Sequence, residues 1–600
     1  MKRNIHKITS RDKHATLNII KFILFLFTPP GFKLFFRAIK RQLIESEVLK
    51  ANTLSYNKWI AEQTNFEKNR TEFQRISDSI SAKPLVSIVL IIDKDTTALI
   101  VDILESIEQQ VYTNWELCVG AQQETAGVIS MISLENNKKK RIITNGTFAD
   151  CINNAVKSAT GEYILLLRFG AILTPNCLSE FVKFIDKKEN TGLIYTDEDL
   201  IGNNDRFCTP FFKPDWAPDS ILSRNYIGES FFITQSLYLS IQGFRSVYGL
   251  SCIYDFIFRA SKATKIEHIG KILFHNHVAQ PAKLKIRVES DMRVILDAIN
   301  RQGYNGTIVP DSANPGFYKV KYELISQGKV TILIPSKDQV QLLKTAVDSI
   351  LQKTNYADYE IIVINNNSED QGFFEFIADY TAQHQGVFKS VDANIPFNFS
   401  KLMNLGVNAS NGEYILFLNN DVEILQADWL GTMVSFAQRN EIGAIGIKLL
   451  YPDSTIQHAG ITLTGMEATS HIFVGLPQND TAHFNFINSI NNYSAVTAAC
   501  LLCRKSVYEA VGGMDENLDV EYNDVDLCLK FLEYGLYNVY LPDVEVVHYE
   551  SATRGHPFRS RGAYIKHKEN LEYFKNKWIK FMDNDPYWNS QNEISFSLKG

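Results

Sequence analysis

The stretch "GEYILFLNNDVEIL" at residues 412–425 has a near-twin, "GEYILLLRFGAILT", at residues 161–174. Both read as an apolar strand that runs from Tyr to Leu and stops in a short cluster. One copy ends in Asn419-Asn420-Asp421, the other in Arg168-Phe169-Gly170. The chain therefore carries one strand end with a carboxylate and one without.

Outward from these strands the repetition continues. "PLVSIVLIIDKD" and "NWELCVGAQQE", within 84–124, match "KVTILIPSKDQ" and "DYEIIVINNNS", within 329–368. Ser87 pairs with Thr331 and Trp115 with Tyr359, both at an offset of 244 (331−87, 359−115). The offset is 251 at the quoted strands (412−161) and 270 where "SLYLSIQGFR" meets "SVYEAVGGMD" (513−243). A steady drift of this kind is what loop insertions leave between two related domains.

Each copy alternates short β-branched strands with amphipathic helices, which predicts an α/β fold. The expected architecture is two tandem Rossmann-like domains, each with a mostly parallel sheet covered on both faces. The expected boundaries are 84–300 and 328–600, with a turn-rich linker at 301–327 and a polar helical segment at 45–83 that braces the first copy. Ligands of such sheets bind beyond the carboxyl ends of the strands. In the second copy those ends carry Pro335-Ser336-Lys337, Asn365-Asn366-Asn367 and Asn419-Asn420-Asp421.

The composition, 45% apolar and 21% charged with a net charge of −6, is that of an ordinary globular protein and gives no footprint for nucleic acid. Eight cysteines are scattered. Cys500 and Cys503 form a C-x-x-C in an apolar strand-like run. That spacing puts the two thiols on opposite faces, as packed free thiols in a reducing compartment. The N-terminus differs from the rest: Lys2, Arg3, Lys7, Arg11 and Lys13 precede "NIIKFILFLFTPPGFKLFFRAIKRQ". Lys21 and Pro29-Pro30 break this apolar run below the roughly 20 residues of a spanning helix. No small-residue cleavage site follows. Residues 1–44 are expected to lie in a membrane interface as a basic amphipathic segment.

Seven stretches of the second copy, taken together, resemble family-two glycosyltransferases of the GT-A fold: "ILIPSKD", "IIVINNNS", "GEYILFLNNDVEI", "IQHAGITL", "SAVTAACLLCRKSVYEAVGGMDE", "YNDVDLCLKFLEYG" and "HYESATRG". The similarity extends to tandem bacterial enzymes of O-antigen, capsule and other surface-polysaccharide assembly. The resemblance implies inverting transfer of a sugar from a nucleotide-sugar donor to a saccharide acceptor, usually lipid-linked. It implies a divalent metal, Mn2+ or Mg2+, and work at the cytoplasmic face of the bacterial inner membrane beside other assembly enzymes. It casts Asp421 and His548 as metal ligands, Asp524 as the catalytic base and Asp526 as its support. Pro335, Ser336, Lys337, Asn366, Asn419 and Asn420 are cast as donor-binding residues. Two departures stand out. The family often has an acidic residue where Asn419 stands, and many relatives have an Asp pair where Asn365 and Asn366 stand. Asparagine still offers a donor and an acceptor to a pyrimidine, and the nucleotide is left open.

The first copy has lost these groups. "GAQQE" stands for "INNNS", "RFG" for "NND" and Ile253 for Asp524, while His275 is expected opposite His548. Asp197, Glu198 and Asp199 of "YTDEDL" are expected in a solvated loop. A wholly non-catalytic scaffold that binds glycan or partner enzymes is the alternative; the Asp421, Asp524 and His548 set argues against it. A nucleotidyltransferase would need a glycine-rich phosphate loop, which the sequence lacks.

Overall fold

The computed structural model describes Tyr56, 58–60 and residues 66–592, apart from 80–82, 93–98, 126, 128–138, 169, 189, 203–206, 278–280, 465–467, 482, 550–560, 583 and 590–591. The segment expected at the membrane, 1–44, lies outside the described residues. Among them, no helix is long and apolar enough to cross a membrane.

Two β-branched runs, Val86–Ile92 (VSIVLII) and Val330–Ser336 (VTILIPS), form the central strands of the two sheets. Each lies between two parallel partners, Trp115–Gln122 and Tyr163–Leu167 in the first copy, Tyr359–Asn365 and Tyr414–Leu418 in the second. Their side chains are buried on both faces, as parallel strands under helices require.

Across the first sheet the strands run Lys139–Thr144, Trp115–Gln122, Val86–Ile92, Tyr163–Leu167, Phe231–Thr234, Thr191–Ile201, Lys265–His277 and Ala171–Leu173. Across the second they run Phe388–Asp392, Tyr359–Asn365, Val330–Ser336, Tyr414–Leu418, Cys500–Arg504, Ile442–Leu450, Tyr537–His548 and Val422–Ile424. The order is the same at every position. In both sheets a parallel four-stranded half is extended by a half of mixed direction.

A shared hydrogen-bonded lock sits at the base of each sheet. Ser87 Oγ donates to Glu116 Oε1 at 2.6 Å and accepts from the Gly161 N–H at 2.8 Å. In the second copy Thr331 Oγ1 donates to Glu360 Oε1 at 2.7 Å and accepts from the Gly412 N–H at 2.9 Å. Burial alone would raise these carboxyls. The bonds outweigh it and hold Glu116 down at about 2 and Glu360 below its ordinary value. The helices that follow are capped by Thr147, in a capping box with Asp150, and by Asn398. Gly406 lets its helix close on the sheet, since a Cβ there would sit 2.6 Å from Ile364 Cδ1.

One cluster of buried residues spans the two copies, in which Tyr226 and Tyr254 join Phe486, Leu541 and Tyr587. Residues 301–327 are more than a spacer. They hold a hairpin of Gly306–Pro310 and Tyr318–Tyr322, whose Tyr322 meets Phe436 edge-on at 5.0 Å. Tyr56 and Ile60 pack with Phe212 and Ile272 of the first copy.

All eight cysteines are free. Cys500 packs with Leu502 on one face and Cys503 with Leu501 on the other, and burial raises both thiols. The acidic run of the first copy is not a solvated loop. Asp197 and Asp199 are fully buried on the strand Thr191–Ile201. The neighbouring strand supplies their partners: His268 Nε2 lies 2.9 Å from Asp197 Oδ1, and His275 Nδ1 2.6 Å from Asp199 Oδ1. Burial lowers the His268 pKa, but Asp197 and Asp215 outweigh it and lift the ring to about 9. Buried carboxylates require such partners.

Candidate active site

The strand Tyr414–Leu418 leaves the sheet at Asn419, whose N–H donates to Ala499 O at 3.1 Å. The chain turns through Asn420 and Asp421 into the short strand Val422–Ile424, which pairs antiparallel with Tyr537–His548. That pairing sets Val422 opposite His548 and so brings Asp421 beside the imidazole. Asp421 Oδ1 lies 3.2 Å from His548 Nε2, and the residues are only 6% and 5% exposed. Asn419 Nδ2 lies 3.3 Å from the same nitrogen. Asp421 Oδ1 and His548 Nδ1 are buried without a hydrogen bond. A buried carboxylate oxygen without a hydrogen bond, with an imidazole at its side, is a pair that could hold a divalent cation. Among the described residues no group of three or more His, Cys, Asp or Glu gathers for a metal. Asp421 and His548 are the two side chains at this strand end that could hold a cation.

Asp524 lies in the first turn of the helix Asn523–Glu533, entered through a left-handed Tyr522 (φ 63°). Its Oδ2 accepts from the Ala498 N–H at 3.1 Å and its Oδ1 from the Val525 N–H at 2.9 Å. The dipeptide Ala498-Ala499 ties the two ends of the site together, holding Asp524 through one peptide and Asn419 through the next. Asp526 has a different environment. It is fully buried, accepts from Trp578 Nε1 at 2.9 Å and pairs with Lys577 at 2.6 Å and Lys530 at 3.3 Å.

The other predicted residues border the same strand ends. Asn420 Nδ2 donates to Ser336 Oγ at 3.1 Å, and the Asn366 N–H to Ser336 O at 2.9 Å. Pro335 is half-buried beside Ser336, and Lys337 is exposed. Asp338 Oδ1 accepts from the N–H groups of Glu369 and Asp370, which ties the two loops together. Asn366 spends both amide hydrogens on Ala393 O (3.0 Å) and Ile395 O (2.8 Å). Only its Oδ1 remains to meet a ligand, as an acceptor.

The first copy has a different set of side chains in this frame. Gly170 stands for Asp421, Ile253 for Asp524 and Arg168 for Asn419. The Arg168 guanidinium pairs with Glu229 at 3.0 Å. The expectation for His275 is corrected by strand register. Ala171 faces Asn276 as Val422 faces His548, so Asn276 holds the position of His548 and His275 that of Val547. Neighbours on a strand point to opposite faces. His275 accordingly turns to Asp199 and stacks on Phe207 at 4.1 Å.

The sequence reading assigned no role to His458, although it stands in the quoted "IQHAGITL". His458 is fully buried with Nδ1 3.1 Å from His471 Nδ1. Burial, then the charges of His471 and His548, push its pKa well below the ordinary value. Its strand pairs with Ile442–Leu450, which in turn flanks the strand of His548.

Residues 331–507 match the family described as Glycosyl transferase family 2. An uncharacterised protein of Sinorhizobium fredii is 32% identical over 522 residues, covering 84% of this chain and 57% of its own. The O-antigen biosynthesis protein RfbC of Myxococcus xanthus is 31% identical over 498 residues, covering 81% of this chain and 39% of its own. The chain thus spans about half or less of the length of these relatives. Among solved structures, GalNAc-T7 with UDP, GalNAc and Mn2+ aligns at a TM-score of 0.35 and 14% identity, over 47% of this chain and 55% of that one.

Proposed function

From the glycosyl transferase family 2 domain at residues 331–507, we propose that this protein is an inverting glycosyltransferase with one working site, in its second copy. The observation that carries the reading is the joining of Asp421, His548 and Asp524 around Ala498-Ala499, in a frame whose duplicate lacks all three. We divide the chain into a catalytic unit at 328–600 and a non-catalytic one at 84–300. Asp524 accepts the proton of the acceptor hydroxyl as that oxygen attacks the anomeric carbon. Single displacement of this kind inverts the configuration there. Ser336, Asn420 and Asn366 border the donor nucleotide, with Pro335, Lys337 and Asn419 around it. A divalent cation, Mn2+ or Mg2+, held by Asp421 and His548, would supply positive charge against the leaving diphosphate.

The name of the Myxococcus relative supports a saccharide acceptor in surface-polysaccharide assembly. A lipid-linked acceptor would place the work at the cytoplasmic face of the inner membrane, beside other assembly enzymes. Residues 1–44 would hold the protein there peripherally, each basic residue adding about 1 kcal/mol on an anionic leaflet.

The test is a panel of UDP-, dTDP-, GDP-, ADP- and CDP-sugars with Mn2+, read as nucleoside diphosphate release. Uracil, thymine and guanine carry a ring N–H for Asn366 Oδ1. Adenine and cytosine offer it only an exocyclic amino group, so the panel reads which donor edge it meets. Release by the wild type and not by Asp524→Asn is expected; equal release by both would end the assignment. Deletion of residues 1–44 should abolish sedimentation with anionic vesicles and leave donor hydrolysis intact. Undiminished vesicle binding would put the anchor elsewhere.

A further inference from the structure

A chain of buried polar side chains runs from the first copy to the helix that carries Asp524. Asp219 of the first copy is fully buried; its carboxylate pairs with Arg439 and accepts from Asn492 Nδ2 at 3.0 Å. The Asn492 Oδ1 in turn accepts from the N–H groups of Asp219 (2.8 Å) and Ser220 (3.3 Å). The backbone joins as well: the Asn492 N–H donates to Ser220 Oγ and the Ile490 N–H to Ser223 Oγ, both at 3.0 Å. Asn492 Nδ2 also reaches Asn538 O at 3.3 Å. Asn538, fully buried, donates to Ser494 O at 2.9 Å and to Cys528 O at 3.0 Å.

Both end points lead to the base. Cys528 is one helical turn beyond Asp524 on the same helix. Ser494 opens the segment that ends in Ala498, whose N–H binds the Asp524 carboxylate. The seam has apolar contacts enough to adhere, among them Phe211 stacked on Phe484 at 4.3 Å. A directional polar network buried in that seam adds orientation, because its hydrogen bonds form in one arrangement of the two copies.

We propose that the first copy acts as a positioning element for Asp524. Asp219, Ser220 and Asn492 are positioning residues that fix segment 490–500 and the helix Asn523–Glu533 relative to the donor site. This rests on the reading of Asp524 as the base, but the mechanical link can be tested without it.

The experiment uses the full chain and three variants. Asp219→Asn turns an acceptor towards a donor and removes the nearer of the two carboxylates paired with Arg439. Ser220→Ala removes one acceptor and is mild enough to fold. Asn589→Ala cuts another contact between the copies, to Asp197 at 3.2 Å, outside the Asp219–Asn492–Asn538 chain. Hydrogen exchange is followed by mass spectrometry. The first two variants should speed exchange about tenfold in peptides covering 494–500 and 523–528, leave 330–365 unchanged and exceed the control. Turnover of whichever panel donor is used should fall by up to about 10²-fold with the donor KM unchanged and the solvent isotope effect raised. Exchange that rises only at 490–492, or equally in Asn589→Ala, would overturn the proposal. If Asp219→Asn does not fold, Ser220→Ala decides by the same criterion. Active Asp524→Asn with the predicted exchange pattern would refute the base and leave the link standing.

Discussion

The two copies share a frame and differ in the side chains at their strand ends. Ser87 and Thr331 lock Glu116 and Glu360, and Lys140 and Lys389 pair with those carboxylates at 2.6 and 3.1 Å. Asn153 binds Tyr238 and the Phe244 N–H as Asn404 binds Tyr508 and the Met514 N–H. Gly243 and Gly513 both take positive φ, 64° and 66°. Asp255 pairs with Arg259 as Asp526 pairs with Lys530. Every one of these groups has its partner inside its own copy. Asp421, His548 and Asp524 stand only in the second copy, and the first two each keep a buried atom without a hydrogen bond, as the shared Asp526 also does at Oδ2. Such atoms are costly unless a ligand completes them.

The largest effect that could break this comparison is at the strand end itself. Asp421→Ala should lower transfer by at least about 10³-fold, because charge stabilisation there is worth several kcal/mol. Gly170→Asp, the reciprocal change in the first copy, should add no activity. Activity in the alanine variant, or turnover that resists chelators, would remove Asp421 from the mechanism. Asp524→Asn comes next. It keeps shape and local bonding but cannot take a proton, and should cost about 10²–10⁴ in turnover with nucleotide binding retained. A variant within a few-fold of wild type would unseat Asp524 as the base.

The smallest effect sharpens the comparison from its shared side. Glu116 titrates at about 2 and Glu360 below its ordinary value, in each case because hydrogen bonds overcome burial. A carboxyl depressed on folding contributes stability that is complete above its unfolded value of about 4.3 and is lost as pH falls through the folded one. Urea midpoints between pH 5.5 and 3 should therefore fall less steeply for Glu116→Gln and for Glu360→Gln than for the wild type. The two variants should behave alike despite the different side chains at the strand ends of their copies. An unchanged acid slope in either would show that the lock does not depend on the ionised carboxylate.

Strand runs, the duplication and the strand-end clusters were legible in the sequence, because β-branched runs and a fixed spacing survive without any knowledge of contacts. Three features were not. The partner of His548 in the first copy depends on pairing register, which a single-residue shift reverses; the eye is drawn to His275, but the sheet selects Asn276. The burial of Asp197 and Asp199 depends on His268 and His275, which are distant in sequence. The grip of Asp219 on Asn492 crosses 273 positions between the copies and follows no local pattern.

The central claim is that one of two equal frames works. Its most direct test is the stoichiometry of nucleotide binding to the full chain, by calorimetric titration with UDP, dTDP and GDP in excess Mn2+. The account predicts one site per chain for whichever nucleotide binds, lost in Asp421→Ala. Two sites per chain, or one that survives Asp421→Ala, would contradict it.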